Sequence, residues 1–187
     1  MRGMDAPDAL PADAVVADIR RWLERVVVGL NLCPFAKGVL VRDQVRFVVS
    51  RATDEEALAA DLAAELQHLA AADPEALDTT LLIHPQVLQD FDDYNDFLDI
   101  ADAVLDELGL EGELQVASFH PDYRFADTAP DDVSNCSNRA PWPTLHLLRE
   151  ASIERAVAAF PDAASIYERN IDTLRRPGWA GWRALWR

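Results

Sequence analysis

Three short runs rich in β-branched and aliphatic residues alternate with two long helical patterns. They are VRFVVS at Val45–Ser50, TTLLIH at Thr79–His84 and LQVASFH at Leu114–His120. This order limits the available folds more than any other feature. Parallel strands need long return connections, and strand–helix–strand–helix–strand is how such a sheet is written along a chain. The first return opens on the capping-box pattern Thr53-x-x-Glu56 and runs to about Ala72, with Leu58, Leu62, Leu66 and Leu69 as its buried stripe. The second, Asp90 to Leu108, places Phe91, Tyr94, Phe97, Leu98, Ala101, Val104, Leu105 and Leu108 three or four residues apart, and Gly109 suits its C-terminal cap. The expectation is an α/β fold: a small mixed, mostly parallel sheet of three or four strands, with flanking helices and further C-terminal helices.

The remaining elements read less sharply. Asp13 to Leu30 has helical spacing, and GLNLCPFAKG at Gly29–Gly38 reads as a turn. Gly38 to Val41 can pair with the following strand as a hairpin. Thr144 is expected to cap a helix from Leu145 to Phe160, and Asp162 another that ends before Pro177. Residues 1–12 read as a frayed tail and 13–187 as a single domain. Trp179, Trp182 and Trp186 recur three and four residues apart, which suits packing against the domain or, alternatively, an oligomer contact.

Charge narrows the partners. The formal net charge is −16, and no Lys or Arg occurs between Ala52 and Tyr123. Nucleic-acid binding needs a basic surface, so that class is excluded as an expectation. The acidic stretch reads as a solvated face, or as a docking face for a non-catalytic interaction module. No run approaches the roughly 18 apolar residues of a membrane span, and the N-terminus has no apolar signal core. Two cysteines, Cys33 and Cys136, are too few for a disulfide framework and read as free thiols. A cytoplasmic location and a small-molecule substrate follow as expectations.

The chemistry concentrates where strands end. His84-Pro85 and His120-Pro121 each hold a histidine at the last extended position before the chain turns. In a parallel sheet both imidazoles reach the carboxyl edge, where open α/β folds bind ligands. Cys33-Pro34 repeats the pattern in the turn after the first helix. More than twenty residues then follow His120 without regular periodicity, and an ordered loop of that length is usually functional. Asp122 is placed to orient His120 as an acid/base, or to open a turn. Arg124, Arg139 and Arg149 stand out from the acidic surface as anion binders. Asn135 and Asn138 suit an oxyanion or Asx turns. Cys136 suits a nucleophile or an inert core position. His146 and Glu150, four apart, would share a helix face and join the substrate wall. Thiolates and imidazoles also allow a zinc or iron centre built from Cys33, His84, His120 and Cys136, although no pair has zinc-finger spacing.

GLNLCPFAKG, RFVVS, SFHPDYRFAD, NCSNRAPWPTLHLLRE and IYERNIDTLRR together resemble the bacterial family numbered 1415 among domains of unknown function, from about Ala14 to Arg176. The resemblance marks Asn31–Ala36, Ser118–Asp127 and Asn135–Glu150 as signature segments and implies no activity, fold or cofactor. The sequence as a whole points first to an enzyme acting on an anionic metabolite, with His120, Asp122, His84, Cys33 and Cys136 as catalytic groups. Arg124, Asn135, Asn138, Arg139, His146 and Arg149 would bind substrate. A metal-binding protein and an acidic interaction module are the alternatives.

Overall fold

A computed structural model describes residues 11–159 and 165–186. Its centre is a four-stranded sheet in the order β1-β2-β4-β3, formed by β1 (Val45–Val49), β2 (Thr79–Ile83), β3 (Leu114–Phe119) and β4 (Thr144–Arg149). β1 and β2 are parallel, and β4 runs antiparallel between β2 and β3. β1, β2 and β3 therefore share one direction, as their crossover helices require.

β4 corrects the expected helix from Leu145. Its side chains are packed on both sides, with Leu145 and Leu147 on one face of the sheet and His146 between Leu81 and Ala117 on the other. A strand buried on both faces loses the polar alternation that would identify it. The helix begins only at α5 (Glu150–Ala159). His146 and Arg149 are consequently strand residues, and the proposed His146–Glu150 helical pair does not exist. Residues 160–164, including the expected cap Asp162, lie outside the described residues, as do residues 1–10 of the expected tail.

One face of the sheet is covered by α3 (Glu55–Ala71) and α4 (Phe91–Glu107), whose leucine and aromatic stripes meet Leu82, Leu145 and Leu147. Asp54, one residue beyond the expected Thr53, caps α3 by accepting from the Ala57 amide at 2.9 Å. Gly109 ends α4 at φ +66°, a backbone region that glycine enters without a Cβ clash. Arg149 crosses from β4 beneath α3 and donates to the carbonyls of Leu69, Ala72 and Leu77 at 2.6, 2.9 and 3.2 Å.

The opposite face is covered by α1 (Ala12–Trp22), a π-helical turn (Leu23–Val28), α2 (Ala36–Val41), α6 (Ile166–Arg175) and α7 (Gly178–Ala184). α2 replaces the expected Gly38–Val41 strand. Trp179 and Trp182 pack against this core, and the Trp179 indole donates to Asp131 O at 2.9 Å. No helix among the described residues is long and apolar enough to cross a membrane.

Tyr94 joins α4 to two strands. Its buried hydroxyl donates to Thr144 O at 2.8 Å and accepts from the Phe119 amide at 3.2 Å. Tyr94→Phe is expected to remove both buried hydrogen bonds and to lower unfolding free energy by about 2 kcal/mol in urea titration. An unchanged midpoint would show that the hydroxyl contributes no net stability.

Candidate functional site

The two strand-end histidines do reach the same edge of the sheet, on its α3/α4 face, and both lie against Tyr94. The ring centroids are 5.7 Å apart for His84 and 5.0 Å for His120. Both are fully buried. His120 Nδ1 accepts from the Asp122 amide at 3.1 Å, which leaves Nε2–H to donate to Leu88 O at 3.2 Å. Leu88 presents that carbonyl from a left-handed backbone, φ +56°, a conformation a leucine rarely adopts. The imidazole thus holds a loop in place with both nitrogens, and Asp122 meets it through its backbone. Burial lowers the pKa of His120 despite the Leu88 carbonyl and the nearby carboxylates. His84 donates Nδ1–H to Val87 O at 3.0 Å while buried Nε2 has no partner among the described residues, and burial pushes its pKa down to about 4.

The long loop is braced by its own polar groups. Asn135 Oδ1 accepts from the Phe125 amide and the Thr128 hydroxyl at 3.1 and 2.6 Å, and its amide donates to Ala129 O. Asn138 donates to Ser118 O, which ties the loop to β3. Arg139 donates to the Tyr123 and Pro130 carbonyls at 3.0 and 2.7 Å. Asp132 caps the 3₁₀ turn Val133–Ser137, and the Arg175 guanidinium holds its carboxyl down to about 2. Cys136 is fully buried in that turn, and burial pushes its thiol up to about 11, far from the thiolate range.

A polar cleft of about 310 Å³ lies outside this loop, lined by Asp90, Asp92, Asp122, Arg124 and Arg139 among others. Arg124 is paired with Asp92. Three carboxylates against two guanidiniums already engaged make this cleft a poor receptor for an anion. Arg149 is distant in role as well, being committed to the end of α3.

The groups left open lie on the second face of the sheet. An apolar cavity of about 340 Å³ is floored by Leu81, Ala117, Phe119 and His146 and walled by Trp22, Leu23, Val27, Cys33, Leu40 and Ile153. Its volume falls within the range of small-molecule pockets, about 300–1,000 Å³. The space arises because short side chains, Ala36, Ala117 and Ala156, occupy its walls. A π-helical turn, often found at functional sites, contributes Leu23 and Val27.

Cys33 is only partly buried and is held in a turn that starts at Asn31, φ +53°. Asn170 of α6 fixes that turn through Leu32 O at 2.9 Å. His146 keeps part of its ring surface open to the cavity, although protein surrounds it closely enough to push its pKa down to about 4.

The structure therefore places Cys33 and His146 on the wall of one cavity, and His84 and His120 against Tyr94, on opposite faces of the sheet. Cys136 sits in the core on the Cys33 side. The donors of the expected zinc or iron centre do not converge, and no three His, Cys, Asp or Glu side chains among the described residues are grouped to hold a metal ion. Sequence reasoning missed the cavity. Its one legible signal was the small residue Ala117 in the middle of an otherwise bulky strand.

Fold and site together define a three-layer α/β protein with a partly open apolar cavity between the sheet and its N-terminal helices. The chain belongs to the family described as protein of unknown function (DUF1415), whose model matches residues 14–184. No curated protein and no solved structure matches the chain.

Proposed function

We propose that this protein is a small-molecule enzyme whose substrate occupies the apolar cavity, with Cys33 and His146 as its candidate catalytic residues. The observation that carries the proposal is the presence of a partly open thiol and an imidazole on the wall of one preformed apolar pocket. Pockets of this kind bind by apolar contact and orient by a few polar groups. The anionic substrate expected from the loop arginines gives way to an apolar one, because those arginines brace the loop or pair with Asp92. A reducing compartment such as the cytoplasm suits the proposal, since both thiols remain free there.

Thiol protection tests it. Maleimide should alkylate Cys33 and spare the buried Cys136. A neutral naphthyl probe such as 2-methoxynaphthalene should bind one per chain and slow that alkylation several-fold. Ala117→Phe should fill the cavity and abolish both binding and protection. If alkylation proceeds at one rate with and without the probe, and no binding is detected, the cavity is not the site.

A further inference from the structure

The cavity offers its occupant few polar atoms, and the protonation of the central one is fixed by its surroundings. The Thr79 hydroxyl has a single hydrogen and gives it to Leu147 O at 2.5 Å. Its oxygen must then accept from His146, so the 2.8 Å contact is an Nε2–H donated to Thr79 Oγ1. With Nε2 protonated and the ring neutral, Nδ1 carries a lone pair. No donor meets that lone pair among the described residues. A second wall residue, Trp22, is fully buried with an indole N–H that has no acceptor there. Both rings abut Phe119, with centroids 4.9 Å away for Trp22 and 5.7 Å for His146.

We infer that the occupant is a neutral, largely apolar molecule bearing a hydroxyl group, which it donates to Nδ1 of His146. This rests on the cavity reading above and names its ligand class. The Trp22 indole N–H is sealed inside the wall, so the occupant's polar contact falls on Nδ1 of His146. An anion would meet the Nδ1 lone pair and the Asp78 carboxylate, whose Oδ1 already accepts from Ser152 at 2.5 Å. A cation would exchange its hydration for a mostly aliphatic wall, which is unfavourable without a dedicated partner.

Four probes on one ring system test the inference in the full-length protein: 2-naphthol, 2-methoxynaphthalene, 2-naphthoate and 2-naphthylmethylammonium. Calorimetric titration at neutral pH should show naphthol binding about ten-fold more tightly than its methyl ether, the value of one neutral hydrogen bond. Both charged analogues should bind more weakly than the ether. His146→Phe should erase the preference for naphthol while the ether still binds. Nitrogen-15 NMR of the wild type supplies the same readout if that variant does not fold, because one histidine Nδ1 resonance should move with naphthol and stay fixed with the ether. Equal binding of naphthol and ether, tightest binding of a charged analogue, or a naphthol preference that survives His146→Phe would overturn the assignment. If none of the four binds, the cavity reading falls with it; if all four bind alike, the cavity reading stands and only this inference fails.

Discussion

Arg149→Met is expected to lower the unfolding free energy by about 3–5 kcal/mol, a large part of the roughly 5–15 kcal/mol that holds a domain folded. Arg149 is 7% exposed, and its guanidinium donates to three carbonyls, Leu69, Ala72 and Leu77, all at or beyond the last turn of α3. A helix end leaves its final carbonyls without internal partners, and they carry the negative end of the helix dipole. Arg149 answers both needs from the neighbouring strand, which fixes α3 to the sheet as well as capping it. Methionine matches much of the stem and removes all the donors, so one buried and two half-buried carbonyls lose a charged donor. The loss of a buried charge offsets part of that cost. Arg149→Lys keeps the charge but not the planar fork, and its stability should fall between the two. Urea titration of the three proteins checks the order. Equal midpoints for wild type and Arg149→Met would show that water serves these carbonyls as well as the arginine does.

The same residue shows how chemistry was misread from sequence. Arg149 stood out with Arg124 and Arg139 from an acidic surface, and cations of that sort bind anions; here the partner is the partially negative end of a helix. Asn135, Asn138 and Arg139 carry the same ambiguity, because carboxamides and guanidiniums bind substrates and backbone with the same atoms. Nothing in residue type separates a loop that binds a ligand from one that binds itself. The strands and helices with one clear period were legible. β1, β2, β3, α3 and α4 lie where the patterns of Val45–Ser50, Thr79–His84, Leu114–His120, Leu58–Leu69 and Phe91–Leu108 place them. The strand ends at His84 and His120 also fall on one edge, as the His-Pro steps implied.

β4 was not legible, for a physical reason. TLHLLR is covered on both faces and runs without a turn into EASIERAVAA, whose helical period spreads back over it. That single assignment moved His146 from a helix face shared with Glu150 to the floor of a cavity. That Cys33 and His146 line one cavity followed only from the inserted strand, since β4 places His146 between Leu81 and Ala117.

Mild acid is expected to destabilise this protein well before its carboxylates titrate. Burial pushes the folded-state pKa of both His84 and His146 down to about 4, from an ordinary value near 6.5. Between those values the unfolded chain binds protons that the folded chain excludes. Stability is therefore complete above about pH 6.5, falls through the window, and is fully lost from these groups below about pH 4. By pH 5 each histidine removes about 2 kcal/mol, and the full shift is worth about 3 kcal/mol each. The cause is structural in both cases. A protonated His84 would place charge on a buried Nε2 that has no partner among the described residues, and a protonated His146 would place it against an apolar cavity. Two other titrations act differently. Asp132 loses its contribution only as pH falls from near 3.8 toward 2, below this window. The net charge of −16 shrinks toward the isoelectric point near 4.4, which relieves repulsion and opposes the loss. Urea unfolding at pH 7.5 and pH 5 separates these contributions when repeated on variants that cannot titrate. His146→Gln keeps a donor toward Thr79, and His84→Asn keeps one toward Val87 O. Each should recover about half of the wild-type loss at pH 5, and the double variant most of it. If wild type is as stable at pH 5 as at pH 7.5, or if both variants lose stability in step with it, these histidines are not held neutral by the fold.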